Sequence, residues 1–129
     1  MDEKTSTKPD VVILQTSTSG FEVAQKVVSD LDLTNRVTTL RLMPAADKIK
    51  ELFDENKKQT FVTGTIHGNQ NPTILLVEFL LSKYPRLTCV GFTFKRDEFP
   101  ANLFKEHIFK DDNDPEIILT EFLKKIFIL

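Results

Sequence analysis

The chain holds 129 residues, 40% hydrophobic and 28% charged, which is one domain's worth of ordinary globular sequence and excludes disordered, collagen-like and disulfide-scaffold classes. Seventeen Lys and Arg against nineteen Asp and Glu leave a formal charge of -2, so no basic surplus exists for a phosphate backbone and nucleic acid is not an expected partner. The lone Cys89 cannot close an intrachain disulfide, residues 1–12 lack the apolar centre of a signal peptide, and no apolar run approaches a membrane span, so the expected setting is reducing and cytoplasmic, with no membrane association.

Residues 1–9 (MDEKTSTKP) are polar and are expected to form a disordered segment ahead of a single domain, residues 10–129. Residues 11–14 (VVIL) are a continuous apolar run between Asp10 and a Thr/Ser cluster, the pattern of a strand covered on both faces. Ser19 and Glu22 stand in capping-box spacing before Ala24, Val27, Val28 and Leu31, an i, i+3, i+4, i+7 stripe that predicts an amphipathic helix. Residues 37–43 read as a second strand, and Pro44 suits the first turn of a helix carrying Ile49, Leu52 and Phe53 on one face. A third strand is expected at residues 60–65 (TFVTGT), followed by a Gly- and Asn-rich loop and a helix that Pro72 starts and Pro85 stops. Residues 87–94 predict a fourth strand, residues 95–105 have little periodicity, and residues 107–109 suit a short fifth strand. Asp114 and Pro115, a cap followed by a first-turn proline, begin a last helix through Ile118, Phe122 and Ile126.

Strands alternating with helices predict an α/β fold of βαβ units, with right-handed crossovers and a doubly wound parallel sheet. Ligands of such sheets bind beyond the carboxyl ends of the strands, which directs attention to the loops at residues 15–20, 43–46, 65–71, 93–97 and 110–114. These loops contain no HxxxH, CxxC or carboxylate–histidine spacing, so no metal site is expected, and His67 and His107 read as loop or strand-end residues. The run Asp111, Asp112, Asn113, Asp114 lacks the Gly and Glu of a calcium loop and is explained by helix capping. Cys89 reads as a small buried hydrophobe, and no Ser–His–acid order or GxSxG elbow supports an enzyme.

The order and spacing of these segments from Asp10 to Phe127 resemble a response-regulator receiver domain. Residues 107–118 (HIFKDDNDPEII) are similar to the end of a receiver, where the fifth strand delivers a Lys and an acidic, Pro-containing turn starts the last helix. Residues 89–98 (CVGFTFKRDE) are similar to its fourth strand, which ends in Thr or Ser, and residues 72–85 are laid out like its third helix. The resemblance implies a single five-stranded flavodoxin-like sheet of order 2-1-3-4-5. Because Thr93 and Lys110 are closer in sequence than in receivers by about one helical turn, it also implies a shortened fourth helix.

The same resemblance marks a pocket at Gln15, Thr16, Gly64, Thr65, Thr93 and Lys110. A working receiver places two acidic residues after its first strand and an Asp at the end of its third, so that carboxylates hold Mg²⁺ and one accepts the phosphoryl group. Gln15 and Thr16 occupy the first positions here, and Gly64 or Thr65 the acceptor position. Neutral donors bind Mg²⁺ poorly, and neither Gly nor an unactivated Thr replaces an aspartyl nucleophile. Thr93 and Lys110 remain, the pair that in the family answers the phosphoryl group. The implied protein is a pseudo-receiver, a signal-transduction module that binds a protein partner without phosphorylation, catalysis or cofactor. The alternative for Thr93 is an ordinary strand-end Thr, and for Lys110 a surface Lys that meets solvent, Asp111 or Asp112.

A second reading stays open. Residues 15–24 (QTSTSGFEVA) are similar to the flavodoxin phosphate loop, and residues 62–72 (VTGTIHGNQNP) to its second flavin-contacting loop, which would make FMN or another phosphate compound the ligand, although neither loop has a Trp or Tyr to stack on the flavin. The third and last helices carry more apolar residues than one buried stripe requires. Receivers pair through their last two helices, so Leu123, Phe127 and Leu129 are the expected interface of a homodimer.

Overall fold

The computed structural model describes residues 8–64, 72–93 and 102–128. In chain order the elements are β1 (Val11–Leu14), α1 (Thr18–Asp30), β2 (Val37–Leu40), α2 (Ala46–Leu52), β3 (Gln59–Thr63), α3 (Pro72–Lys83), β4 (Leu87–Thr93), β5 (Glu106–Phe109) and α4 (Pro115–Phe127). Every pairing is parallel and the strand order is β2-β1-β3-β4-β5. This is the expected doubly wound, flavodoxin-like sheet.

Alternation along the strands builds two cores. Val11 and Ile13 of β1, Val62 of β3, and Val90 and Phe92 of β4 pack with α1 and with Leu119, Phe122 and Leu123 of α4. Val12, Leu14, Phe61 and Cys89 face the other way, toward Ile49 and Leu52 of α2 and Leu76, Val77 and Leu80 of α3. All four β1 residues are buried, so the VVIL run is the centre of the sheet, where each such side chain contributes about 1.5–3 kcal/mol relative to exposure. The Phe content serves this interior: Phe53 meets Phe61 edge-on at 5.9 Å and Tyr84 at 5.5 Å.

Element boundaries differ from expectation where local chemistry is outvoted by packing. The N-cap of α1 is Ser17, whose Oγ accepts from the Gly20 N–H at 3.1 Å, so the Ser19–Glu22 capping box is not used. Starting there sets Gly20 against the end of β1, where a side chain would collide. The helix after β2 begins at Ala46, beyond Pro44, and Ala45 provides no side-chain cap. β2 stops at Leu40 because it is an edge strand held by one neighbour, and Leu42 beyond it is 78% exposed. β3 begins one residue early, at Gln59, whose buried amide donates to Pro9 O and Leu52 O at 2.8 and 2.9 Å. Asp114 and Pro115 start α4 as expected: Asp114 Oδ1 accepts from the Glu116 N–H at 2.9 Å.

Within the segment expected to be disordered, residues 1–7 lie outside the described residues, but Lys8 and Pro9 belong to the domain. Lys8 Nζ donates to Lys50 O and Phe53 O, both at 2.7 Å, and Pro9 is buried. The expected shortened fourth helix falls mainly on residues 94–101, also outside the description, while residues 102–105 contain no helix. Among the described residues no helix is long and apolar enough to cross a membrane.

Candidate functional site

The carboxyl ends of β1, β3, β4 and β5 meet at one edge. Gln15 follows β1 directly, and its N–H donates to Leu40 O at 3.0 Å, so it continues the ladder and is only 2% exposed. A buried primary amide must find partners or lose stability. Nε2 donates to Leu14 O at 3.1 Å, and Oε1 accepts from Lys110 Nζ at 2.7 Å. Lys110 follows β5 in the same way, its N–H donating to Thr93 O at 2.7 Å.

The Lys110 side chain crosses the sheet edge to reach Gln15. From β5 to β1 is three strand spacings, about 14 Å, which the two side chains cover between them. On the way the ammonium lies 4.9 Å from the centre of the Phe92 ring, a cation–π contact. Two glycines leave the room. A Cβ at Gly64 would stand 3.3 Å from Gln15 Nε2, and one at Gly20 would stand 2.5 Å from Gln15 Oε1 and 2.7 Å from Ser17 Oγ. Gly20 lies inside α1, where Gly costs about 1 kcal/mol relative to Ala; the close approach of Gln15 explains its presence.

The structure therefore unites Gln15, Gly64 and Lys110 and separates the rest of the expected pocket. Thr16 is exposed, and Thr65 lies outside the described residues. Thr93 meets Lys110 through its backbone carbonyl. Alternation in β4 puts Thr93 on the Cys89 side, opposite Phe92; the residue is 1% exposed, and its buried hydroxyl has no hydrogen-bond partner among the described residues. Phe92 and Gly20 were not among the expected pocket residues, though Phe92 could have been found as the neighbour of Thr93 that alternation turns to the opposite face.

The donor chemistry does not fit Mg²⁺. Gln15 offers a neutral oxygen that already accepts from an ammonium, and that ammonium would repel a dication at the same spot. Among the described residues no group of three or more His, Cys, Asp or Glu is placed to hold a metal ion. Asp114 is the α4 cap, and Asp111, Asp112 and Asn113 are exposed turn residues.

Other candidates resolve into structural roles. His107 is the second residue of β5 rather than a strand-end residue, with its ring 5.6 Å from Phe104 and 5.8 Å from Phe109; His67 lies outside the described residues. Burial pushes the Cys89 thiol up to about 12, so it is not a thiolate nucleophile. In the loop compared with a flavin phosphate loop, the Ser17 hydroxyl caps α1 and Thr18 Oγ1 accepts from Arg41 at 2.7 Å. Most of the second loop, residues 65–71, lies outside the described residues.

The expected α4 interface is corrected in part. Leu123 is fully buried, because α4 turns Leu119, Phe122 and Leu123 together onto the sheet, so it cannot contact another molecule. Phe127 is half-buried, with the Arg36 guanidinium 4.3 Å over its ring, and Leu129 lies outside the described residues. The exposed large hydrophobics include Leu75 and Phe79 of α3, 57% and 48% exposed and one turn apart, and Ile117 of α4.

Comparison with known proteins supports the fold. No family model matches the sequence, and no curated protein does. Among solved structures, the chain is similar to the isolated REC domain of RcsB from Salmonella enterica serovar Typhimurium, solved in the presence of the phosphomimetic BeF3⁻. The TM-score is 0.59 at 15% identity, covering 90% of this chain and 86% of that one. It is similar also to the signal receiver domain of an HD domain-containing protein from Pseudomonas fluorescens Pf-5, with TM-score 0.58, 14% identity and coverage of 95% and 90%. A protein described as pilus-assembly-related from Burkholderia pseudomallei K96243 gives TM-score 0.59 at 14% identity, with coverage of 97% and 93%. The chain has the fold of receiver domains.

Proposed function

We propose that this chain is a pseudo-receiver: a receiver-fold module of signal transduction, neither phosphorylated on an aspartate nor catalytic, that acts without cofactor by binding a protein. One observation carries the reading. Lys110, at the place where a receiver's Lys answers the phosphoryl group, is tied at 2.7 Å to the neutral amide of Gln15, at a place where a receiver holds Mg²⁺ with a carboxylate. A protein-binding role draws support from Leu75 and Phe79, an apolar pair on α3 that faces solvent.

The test uses the probe with which the RcsB domain was solved. Mg²⁺ and beryllofluoride are added to the labelled chain, and the amide signals of Thr93 and Lys110 are followed by NMR. No change is expected; a saturable shift of both would overturn the proposal. Self-association is the simplest form of protein binding for an exposed apolar pair. Light scattering should give a dimer mass for the wild-type chain and a monomer mass for Leu75→Glu with Phe79→Glu, while a monomeric wild type leaves a different protein as the partner. The flavin reading keeps one supporting contact, Arg41 donating to the Thr18 hydroxyl in the first turn of α1, and stoichiometric quenching of FMN fluorescence by the purified chain would favour it.

A further inference from the structure

The opposite edge of the sheet, where the strands begin, holds a cavity of about 520 Å³ between α4 and the starts of β3, β4 and β5. Parallel strands covered on both faces run continuously apolar, and on this face β3 and β4 do so only in their later halves, at Val62, Val90 and Phe92. Nearer their starts the same face carries Thr60 and Thr88, direct partners in register and only partly buried. Lys58, two residues before Thr60, shares the face by alternation. Across from this polar floor stand Phe122, Ile126 and Phe127 of α4, an apolar wall.

Among the described residues, the charge around the cavity is unbalanced. Arg36, Lys58, Lys105 and Lys125 line it together with two carboxylates, Asp10 and Glu106. Both carboxylates are engaged: Asp10 by Arg36 at 2.8 Å and Lys57 at 3.1 Å, Glu106 by Lys125 at 3.7 Å. Lys58 and Lys105 have no ion-pair partner among the described residues. Two uncompensated ammonium groups, two threonines and an apolar wall thus surround a volume in the range of small-molecule sites.

We propose that this cavity binds an amphipathic organic anion, with a single acidic head between Lys58 and Lys105 and an aromatic or aliphatic body against Phe122, Ile126 and Phe127. One acidic head matches the two lysines left over, because Arg36 and Lys125 are already engaged by Asp10 and Glu106. The site is independent of the Gln15–Lys110 pair, which lies at the other end of the strands.

Anilinonaphthalene sulfonate, an aromatic body with one sulfonate, is the probe. Titrated into the full chain, it should bind saturably at one site per chain, shift the amide signals of Thr60 and Thr88, and be displaced by decanoate but not by acetate or inorganic phosphate. Lys58→Glu with Lys105→Glu should weaken it about tenfold, and Lys58→Gln with Lys105→Gln should act in the same direction with less risk to folding. Leu75→Glu with Phe79→Glu, which removes the exposed α3 pair, should leave the affinity unchanged. The proposal is overturned if both lysine pairs bind as the wild type does, if the α3 variant abolishes binding, or if decanol competes as well as decanoate. Binding of an acidic peptide at Thr60 and Thr88 without any of the small anions would equally overturn it.

Discussion

Replacing Gln15 by Met keeps the length of the side chain and removes both of its polar atoms, and with them the bonds to Lys110 and to Leu14 O. The bond to Lys110 is short and charge-assisted, with Lys110 partly buried, which puts its contribution near the lower end of the about 1.5–3 kcal/mol range for hydrogen bonds to charged groups. The bond to Leu14 O adds less, because that carbonyl also accepts from the Gly64 N–H at 3.3 Å. A net loss of about 2 kcal/mol is expected. At about 4 °C per kcal/mol for a chain of this size, Tm should fall by about 8 °C. The assay is a double-mutant cycle by urea unfolding, with Gln15→Met, Lys110→Met and the pair, and the expected coupling is about 1.5 kcal/mol. If the pair equals the sum of the single variants within about 0.3 kcal/mol, the cross-sheet bond does not stabilise the fold and the argument fails. Gly20→Ala is a steric check on the same geometry. Its Cβ must displace Gln15 Oε1 and Ser17 Oγ, so the variant should lose stability despite a gain of about 1 kcal/mol in helix propensity. A stabilised Gly20→Ala would mean that Gln15 does not lie there.

Thr93→Val removes a buried hydroxyl that has no partner among the described residues and preserves its shape, so stability should be unchanged or higher by about 1 kcal/mol; a loss above about 1 kcal/mol in urea unfolding would show that the hydroxyl is bonded. Burial raises the Asp10 carboxyl, but hydrogen bonds and charge from Arg36 and Lys57 outweigh it and hold the group below the ordinary carboxylate range. A lowered folded value stabilises the protein above the unfolded carboxylate's pKa of about 4, and the effect disappears as pH falls through the folded value. Asp10→Asn should therefore cost stability at neutral pH and progressively less as the solution is acidified below about pH 4; an equal loss at both would refute the assignment.

Much of the fold was legible because secondary structure follows side-chain periodicity. The VVIL run, the Ala24–Val27–Val28 stripe and the Asp114–Pro115 start all report local burial or capping that neighbouring residues enforce. Boundaries were less legible. Ser17 and Ser19 are both good caps by local chemistry; the structure uses Ser17, which places Gly20 against Gln15. On α4 the apolar stripe was too wide to say which residues face the sheet, so Leu123 read as surface although it is core.

The sequence by itself determined the alternation of strands and helices, the two-sided burial of β1, and the neutral character of Gln15 and Thr16 after it, since all of these are properties of residue type and short-range order. Only the tertiary structure decided that Gln15 and Lys110, 95 residues apart, bond to each other, that Thr93 turns its hydroxyl away from them, and that Lys58 and Lys105 face a cavity at the other edge. Those outcomes depend on strand order and register, which bring distant segments to one edge of the sheet. No local pattern of side chains encodes that adjacency.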